Sequence, residues 1–164
     1  MVELAQERNK NTGYFFLQDL AAPFKKLNDN SFDIIVCVLA KHYIKDWSST
    51  IQEFNGVLKE NGQLIISIYH PFFEFNYFNS KYYFNTEAVK CIWKGFGNPV
   101  EINSYRRSLE SCIMPLKNNG FYTDQLMEPK PTKEFEKHDP KYYKELNKFP
   151  AFMCIKAIRK QSKI

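Results

Sequence analysis

The sequence predicts an α/β fold built around a parallel sheet, and residues 31–70 carry this prediction. Residues 32–39 contain a continuous apolar run of Ile-Ile-Val-Cys-Val-Leu, which is typical of a strand buried on both faces. Residues 63–69 form a second such run. Between them, apolar residues at spacings of four, three and four form the stripe of an amphipathic helix: Trp47, Ile51, Phe54 and Leu58. Two buried strands joined through a helix predict a right-handed βαβ unit.

Both ends of this helix have sequence signals. Ser49, with Gln52 three residues later, predicts a capping box at the start of the helix. Asn61 and Gly62 predict a left-handed turn that stops it.

Length and composition predict one domain spanning residues 1–164, with 44% hydrophobic residues and a net charge of +5. No basic stripe with interleaved aromatic residues is visible, so we expect no nucleic-acid partner. No apolar run reaches about 18 residues, so we expect no membrane span. Four cysteines without a Cys-x-x-Cys pair indicate a reducing cytoplasm, and three scattered histidines predict no metal site.

The remaining elements follow in chain order. We expect a helix over residues 1–9, a short aromatic strand over residues 14–17, and an aromatic lid or hairpin inserted over residues 71–103. The C-terminal part, residues 104–164, predicts a helix (104–119), a strand (121–127), a surface helix (133–148) and a final strand (149–159).

Several segments together resemble the class I S-adenosylmethionine-dependent methyltransferases, particularly those of type 11. Residues 31–36 (Ser-Phe-Asp-Ile-Ile-Val) resemble the family's fourth strand, and residues 40–47 the loop after it. Residues 57–64 (Val-Leu-Lys-Glu-Asn-Gly-Gln-Leu) resemble the turn into strand five, and Gln18-Asp-Leu the acidic motif after strand three. Further matches are His70-Pro71, Tyr105-Arg-Arg-Ser-Leu, Gly120-Phe121 and Glu128-Pro-Lys-Pro. The resemblance implies a Rossmann-like sheet and S-adenosylmethionine as cofactor.

The sequence departs from this family at its beginning. Family members start with a strand, a glycine-rich loop, a helix and a second strand that ends in an acidic residue. Here residues 1–5 align with the helix after that second strand, and among the six glycines only Gly95 and Gly97 are closely spaced. We therefore expect an N-terminally truncated methyltransferase domain, in which strands three to seven are present and strands one and two are missing.

This departure exposes one edge of the predicted sheet. The family's strand order is 3-2-1-4-5-7-6, so the strand at residues 32–39 loses its neighbour and presents an open apolar edge. We expect either residues 14–17 or a second copy of the chain, as a homodimer, to cover it.

The resemblance also assigns site residues. It places the cofactor against Asp19, Leu20, Leu39 and Ala40, with Asp19 accepting a hydrogen bond from the adenine amino group; the alternative for Asp19 is a cap or turn residue. His70 follows strand five and is the candidate general base, because its unperturbed pKa lies near neutrality. Substrate-binding candidates are His42, Tyr43, Tyr105, Arg106 and Glu128; a surface ion pair is the alternative for Arg106.

Two functions follow from these expectations. The first is methyl transfer to an unknown small molecule, with the aromatic segment either covering the sheet or forming a pocket wall. The second is a non-catalytic remnant that acts as a dimerising or interaction module. Because the glycine loop and ribose acid are absent from the sequence, we expect residues 1–164 to bind the cofactor weakly by themselves.

Overall fold

The main sheet of the computed structural model, which describes residues 2–10, 12–94 and 97–161, has four strands in the order β1-β2-β6-β5. The strands are β1 (Phe32–Val38), β2 (Leu58–Tyr69), β5 (Phe121–Met127) and β6 (Phe152–Arg159). β1 and β2 are parallel, while β6 runs antiparallel to both β2 and β5. This order corresponds to strands four, five, seven and six of the expected sheet, so the predicted Rossmann-like α/β fold is confirmed.

Six α-helices and a separate two-stranded hairpin complete the described part of the chain. The helices are α1 (Val2–Arg8), α2 (Trp47–Val57), α3 (Pro71–Tyr77), α4 (Leu109–Asn118), α5 (Lys133–His138) and α6 (Pro140–Leu146). The hairpin consists of β3 (Glu87–Trp93) and β4 (Val100–Arg106). None of the described helices is long and apolar enough to cross a bilayer.

The core lies between one face of the sheet and helices α2 and α4. Trp47, Ile51 and Phe54 are buried, as the helical spacing predicted, and they join one cluster with buried side chains of β2, β6 and α4. The helix begins one turn earlier than its predicted capping box, because the Asp46 side chain accepts the backbone N–H of Ser48.

The prediction that β1 is buried on both faces is wrong. Ile34, Val36 and Val38 are 53%, 61% and 61% exposed, whereas Cys37 on the opposite face is buried. β1 is an edge strand, and among the described residues no helix covers this face. The predicted strand at residues 14–17 is also wrong: the segment is irregular and does not pair with β1. Aromatic composition alone does not form a strand without a partner strand.

The turn at Asn61 and Gly62 lies inside β2 and does not terminate α2. Leu58 pairs with Phe32, but Gln63 already pairs with Ile34, so residues 59–62 bulge out of the ladder. Asn61 has the predicted left-handed conformation, with φ of 61°. A Cβ atom on Gly62 would lie 2.7 Å from the carbonyl oxygen of Lys59, so this close approach requires glycine.

The excursion after β2 is partly regular. Its predicted hairpin is present as β3 and β4, but β4 continues to Arg106, and α4 therefore begins at Leu109 and not at residue 104. The predicted surface helix over residues 133–148 is two helices. Asp139 separates them, because its side chain caps α6 by accepting the backbone N–H of Tyr142 while Pro140 occupies the first turn. Gly95, named in the sequence analysis, lies outside the described residues.

We predict that Gly62→Ala destabilises the protein by about 2 kcal/mol, because the new methyl group overlaps backbone that cannot easily move. Gly56→Ala is the matched control. Its methyl group meets only the Asp29 carboxylate at 3.5 Å, within α2. It is expected to stabilise the protein by about 0.5–1 kcal/mol through helix propensity. Urea unfolding measures both, and equal effects of the two variants would contradict the role assigned to Gly62.

Candidate cofactor and substrate sites

A cleft of about 600 Å³ lies where the chain leaves the carboxyl end of β1. Ligands of open α/β sheets bind at this end of the strands. The segment before β1, the loop after it and one residue of β4 form the walls, which include Gln18, Asp19, Leu20, Ala21, Ala40, Tyr43, Ile44 and Tyr105.

The segment that carries Asp19 is fixed by short hydrogen bonds. One carboxylate oxygen of Asp19, Oδ1, accepts the backbone N–H of Ala21 at 2.9 Å. The hydroxyl of Thr50, on α2, donates to the carbonyl oxygen of Leu20 at 2.8 Å. Leu20 also packs against the core. The acidic residue is therefore held in place at the cleft while its side chain stays exposed.

A second cavity, of about 220 Å³, lies between α3, β2, the hairpin and the loop after β1. Aromatic and apolar side chains dominate its lining, which consists of His42, Tyr69, Phe73, Glu74, Tyr77, Phe78, Cys91, Trp93, Ile102 and Ser104. We call this cavity the aromatic pocket.

One wall separates the cleft from the aromatic pocket. His42 and Tyr43 are in contact, with ring centroids 4.0 Å apart, yet His42 lines the aromatic pocket and Tyr43 the cleft. In β4, Ser104 lines the aromatic pocket and Tyr105 lines the cleft, because consecutive side chains of a strand point to opposite faces. The two cavities are therefore adjacent, and consecutive residues face opposite sides of their shared wall.

The wall begins with a strained residue and a single turn of 3-10 helix, Lys41–Tyr43. Leu39 has a φ of 47°, which is rare for a residue other than glycine. Its N–H still donates to the Ser67 carbonyl, so the strand pairing continues up to the point where the chain turns. Backbone strain of this kind concentrates at ligand sites.

The side chains of Trp47 and Arg107 hold this turn in place through hydrogen bonds to backbone carbonyl oxygens. The indole N–H of Trp47 donates to the carbonyl oxygen of Lys41 at 2.8 Å. Arg107 donates to the carbonyl oxygens of Ile44 and Lys45, at 2.6 and 3.3 Å, and its guanidinium carbon lies 4.6 Å from the centre of the Trp47 ring. The stacked pair fixes the loop from both ends.

Three titratable groups are buried beside this wall. Lys41 is fully buried, its Nζ has no hydrogen-bond partner, and burial lowers its pKa to about 7. Burial raises the pKa of Glu74 to about 7, although Arg107 and Arg106 act in the opposite direction. His42 is 5% exposed and its Nδ1 is unpartnered; burial, and then Arg107, lower its pKa.

Comparison with known proteins matches this architecture. Residues 1–66 match a family described as a methyltransferase domain. The fold is similar to that of a Listeria monocytogenes protein assigned as an S-adenosylmethionine-dependent methyltransferase, with a TM-score of 0.79 and 20% identity over 96% of this chain and 75% of that one. The chain has a class I methyltransferase fold. S-adenosylmethionine is accordingly the cofactor of the family that it resembles.

Two further structures support the methyltransferase fold. An S-adenosylmethionine-dependent methyltransferase of Mesorhizobium loti gives a TM-score of 0.68 at 20% identity, over 95% of this chain and 75% of that one. The [4+2]-cyclase SpnF gives a TM-score of 0.58 at 14% identity, over 98% and 61%. No curated protein sequence gives a significant match. Because one of these proteins is a cyclase, the fold by itself does not fix the reaction.

The methyltransferase fold brings most of the expected cofactor residues together. Asp19, Leu20 and Ala40 line one cleft, and Leu39 forms the strained turn beside it. Tyr43 and Tyr105, expected on the substrate side, line this same cleft. Of the expected substrate residues, His42 lines the aromatic pocket.

His70, Arg106 and Glu128 line neither cavity. The His70 Nδ1 accepts the Phe72 N–H at 3.2 Å, and its Nε2 lies 2.9 Å from a carboxylate oxygen of Glu128. Burial lowers the pKa of His70 more than Glu128 raises it, which favours the neutral ring. A role for His70 as base stays a prediction.

Arg106 forms an ion pair, the alternative given for it, but the arginine is buried and not at the surface, and its guanidinium is not free for a substrate carboxylate. It is fully buried, and it bonds Glu87 together with the backbone carbonyl oxygens of residues 82, 83 and 85. Its charge therefore fastens the hairpin to the segment before it. The described residues contain no cluster of His, Cys, Asp and Glu that suits a metal ion.

Sequence reasoning left open whether the aromatic segment covers the sheet or forms a pocket wall, and it did not single out Phe73, Glu74 and Tyr77, because α3 was not recognised. The signal was present. His70 followed by Pro71 is an N-cap followed by proline at the first helical position, and Phe73 and Tyr77 are four residues apart on one helix face.

We predict that Lys41→Met stabilises the protein by about 2 kcal/mol at pH 7, because it removes a buried amine that has no hydrogen-bond partner and retains the apolar stem. The folded-state pKa is about 7. The unfolded chain binds a proton that the folded chain lacks between pH 7 and about 10.5, so wild-type stability contains a component that rises across this range. In urea unfolding, the free energy of unfolding of Lys41→Met should lack this rise between pH 7 and about 10.5. Lys45→Met, at an exposed position, is the control, and an equal stability change in both would contradict the interpretation.

Proposed function

We propose that this protein transfers a methyl group from S-adenosylmethionine to a small molecule. One observation carries the proposal: the cleft that contains Asp19 and the aromatic pocket share the single wall formed by residues 42–43 and 104–105. Methyl transfer requires donor and acceptor in contact and in line, and the shared wall places the two candidate sites directly beside each other.

The donor set of the cleft suits the adenine end of the cofactor. Asp19 is an exposed hydrogen-bond acceptor with one oxygen already oriented by Ala21. Leu20, Ala40 and Ile44 offer apolar surface for the faces of a base. Tyr43 and Tyr105 add rings that can stack on it. These residues would bind and orient the adenosine moiety, and they would exclude water from its faces.

When bound, S-adenosylmethionine supplies an activated methyl group on a sulfonium sulfur. The contribution proposed for the chain is positional: it holds the donor in the cleft and the acceptor in the adjoining aromatic pocket. Proximity of this kind supplies several kcal/mol of catalysis without a dedicated base.

We further propose that residues 1–164 by themselves bind the cofactor only weakly, with a Kd in the approximately millimolar range. The cleft walls come from residues 18–21, 40–49 and 105, and among the described residues no glycine borders the cleft. The contacts available to this polypeptide are thus those of the adenine end.

Asp19→Asn tests the cleft. The asparagine oxygen can still accept the N–H of Ala21, but its other atom becomes an amide donor that opposes the adenine amino group. We expect S-adenosylhomocysteine to bind at least about tenfold more weakly than to the wild type in an NMR titration. Asp29→Asn, an exposed carboxylate outside the cleft, should leave binding unchanged. Equal binding by Asp19→Asn and the wild type would contradict the role assigned to Asp19. A micromolar Kd of the wild type would contradict the weak-binding proposal.

A second function is favoured by the exposed face of β1. We propose that a second copy of the chain pairs along this edge, so that the protein acts as a dimerising module whether or not it catalyses a reaction. The Leu39 N–H points toward β2, so by strand alternation the N–H groups of Val36 and Val38 point outward from the sheet. Within the described residues β1 pairs only with β2, so these outward donors and three exposed aliphatic side chains are a ready template for another strand.

Val36→Lys should convert this dimer to a monomer, because a charged side chain on an edge strand opposes strand pairing and burial. Sedimentation equilibrium measures the change. Tyr142→Lys, at a similarly exposed apolar position on α6, should leave the oligomeric state unaltered. A wild type that stays monomeric at high concentration would refute this second function.

A further inference from the structure

We infer that the aromatic pocket is selective for a small, largely apolar molecule that carries one protonated amine, with the ammonium group paired to Glu74. As a substrate assignment this inference rests on the proposed function. As a statement about binding it concerns the pocket alone and requires no cofactor.

The size of the pocket limits its ligand. A cavity of about 220 Å³ is smaller than the roughly 300–1,000 Å³ of pockets for drug-sized molecules. Its walls are mostly apolar, so the greater part of the ligand must be apolar as well.

The rings of the pocket form a continuous aromatic surface. Centroid distances are 5.3 Å for His42 and Tyr69, 6.4 Å for Tyr69 and Phe73, and 5.8 Å for Phe73 and Tyr77. Trp93 closes the pocket from the hairpin side. Aromatic faces carry negative quadrupole potential, so such a surface attracts organic cations as well as apolar groups.

Glu74 is the single carboxylate of the lining, and it is 6% exposed. Two arginines are near enough to influence it, but each is committed elsewhere. Arg106 bonds Glu87 and three backbone carbonyls, while Arg107 bonds the carbonyls of Ile44 and Lys45. Within the described part of the chain neither forms an ion pair with Glu74. A buried carboxylate without an ion pair is costly unless it takes up a proton or a ligand cation neutralises it.

The charge state of Glu74 follows from its surroundings. The titratable and charged groups around it come from every neighbouring element: Tyr69 of β2, Tyr77 of α3, Cys91 of β3, Arg106 at the end of β4, Arg107 after it, Cys112 of α4, and His42 of the loop. At neutral pH only the arginines among them are charged. The effect of burial on Glu74 outweighs the effect of both arginines and raises its pKa to about 7. A bound ammonium would therefore shift Glu74 to its ionised form.

His42 supplies a second polar point in the same pocket. Its Nδ1 is buried and unpartnered, and the residue is more than nine-tenths buried. A ligand that enters the pocket therefore meets one carboxylate and one imidazole ring against an aromatic background. An ammonium group can pair with Glu74, whereas a carboxylate ligand would face Glu74 with like charge.

Three probes of similar shape test the inference in the absence of cofactor: 2-phenylethylamine, the neutral 2-phenylethanol and the anionic 3-phenylpropionate. We expect the amine to bind the wild-type chain at least about tenfold more tightly than the alcohol at pH 8, by NMR titration. Glu74→Gln should remove this preference, while Glu110→Gln, an exposed carboxylate on α4, should keep it. Equal binding of amine and alcohol by the wild type, or preference for the anion, would overturn the inference.

The pH dependence of the wild type gives a test that needs no variant. Amine binding should strengthen as pH rises from 5.5 to about 7, where Glu74 ionises, and should level off above it. Protonation of His42 at low pH acts in the same direction. Alcohol binding should change by less than about threefold over this range, and a parallel pH profile for both probes would overturn the inference. Because no cofactor is present, failure here is distinguishable from failure of the Asp19 cleft to bind S-adenosylhomocysteine.

Discussion

The stacking of Arg107 on Trp47, with its hydrogen bonds to the carbonyls of Ile44 and Lys45, is the interaction on which both cavities depend. It joins the end of the hairpin to the first turn of α2 across the loop that follows β1. A guanidinium presents a planar face to the indole and a fork of donors to the backbone, a combination that lysine does not provide. Without it, the turn that carries His42 and Tyr43 would lose its support, and the wall between the cavities would lose its position.

This wall is built on an unfavourable electrostatic arrangement. Arg106 and Arg107 are buried cations, Lys41 is a buried amine, and Glu74 is a buried carboxyl group without an ion pair within the described residues. Each group has its pKa moved by desolvation or has its hydrogen bonds satisfied by backbone carbonyls. Perturbed titratable groups in a cleft are commoner at functional sites than in purely structural cores. The stability lost here is offset by the apolar cluster of β2, β6, α2 and α4.

The part of the fold with strong periodicity was predictable from sequence. The strands at residues 32–38 and 63–69, and the helix stripe of Trp47, Ile51 and Phe54, follow directly from residue spacing. The exposure of Val36 did not follow from the sequence. An apolar run indicates that a strand is suited to burial, but it does not indicate whether another element covers the strand. The aromatic segment after His70 was resolved only as a lid or hairpin, since short helices such as α3 have weak periodic signals.

The candidate site was predictable to a similar degree. Asp19, Leu20 and Ala40 line one cleft, as the family resemblance implied: Ala40 follows the end of β1, and the Thr50 hydroxyl holds the backbone of Leu20 beside it. The places of Arg106 and His70 were not predictable, since their partners lie in backbone carbonyls and in Glu128, far away in sequence. The place of Glu74 in the aromatic pocket was likewise not predictable, because only the folded structure shows that Glu74 is buried among aromatic rings.

The alternation of consecutive residues across the shared wall separates two chemical tasks within very short stretches of chain. Ser104 and His42 touch one ligand volume, and their immediate neighbours Tyr105 and Tyr43 touch the other. A single substitution at Ser104 or His42 can therefore reshape what one chamber accepts while the opposite chamber keeps its lining. With the cleft and the pocket assigned as proposed above, such a scaffold can acquire new acceptor preferences by point mutation without rebuilding the surface assigned to the methyl donor.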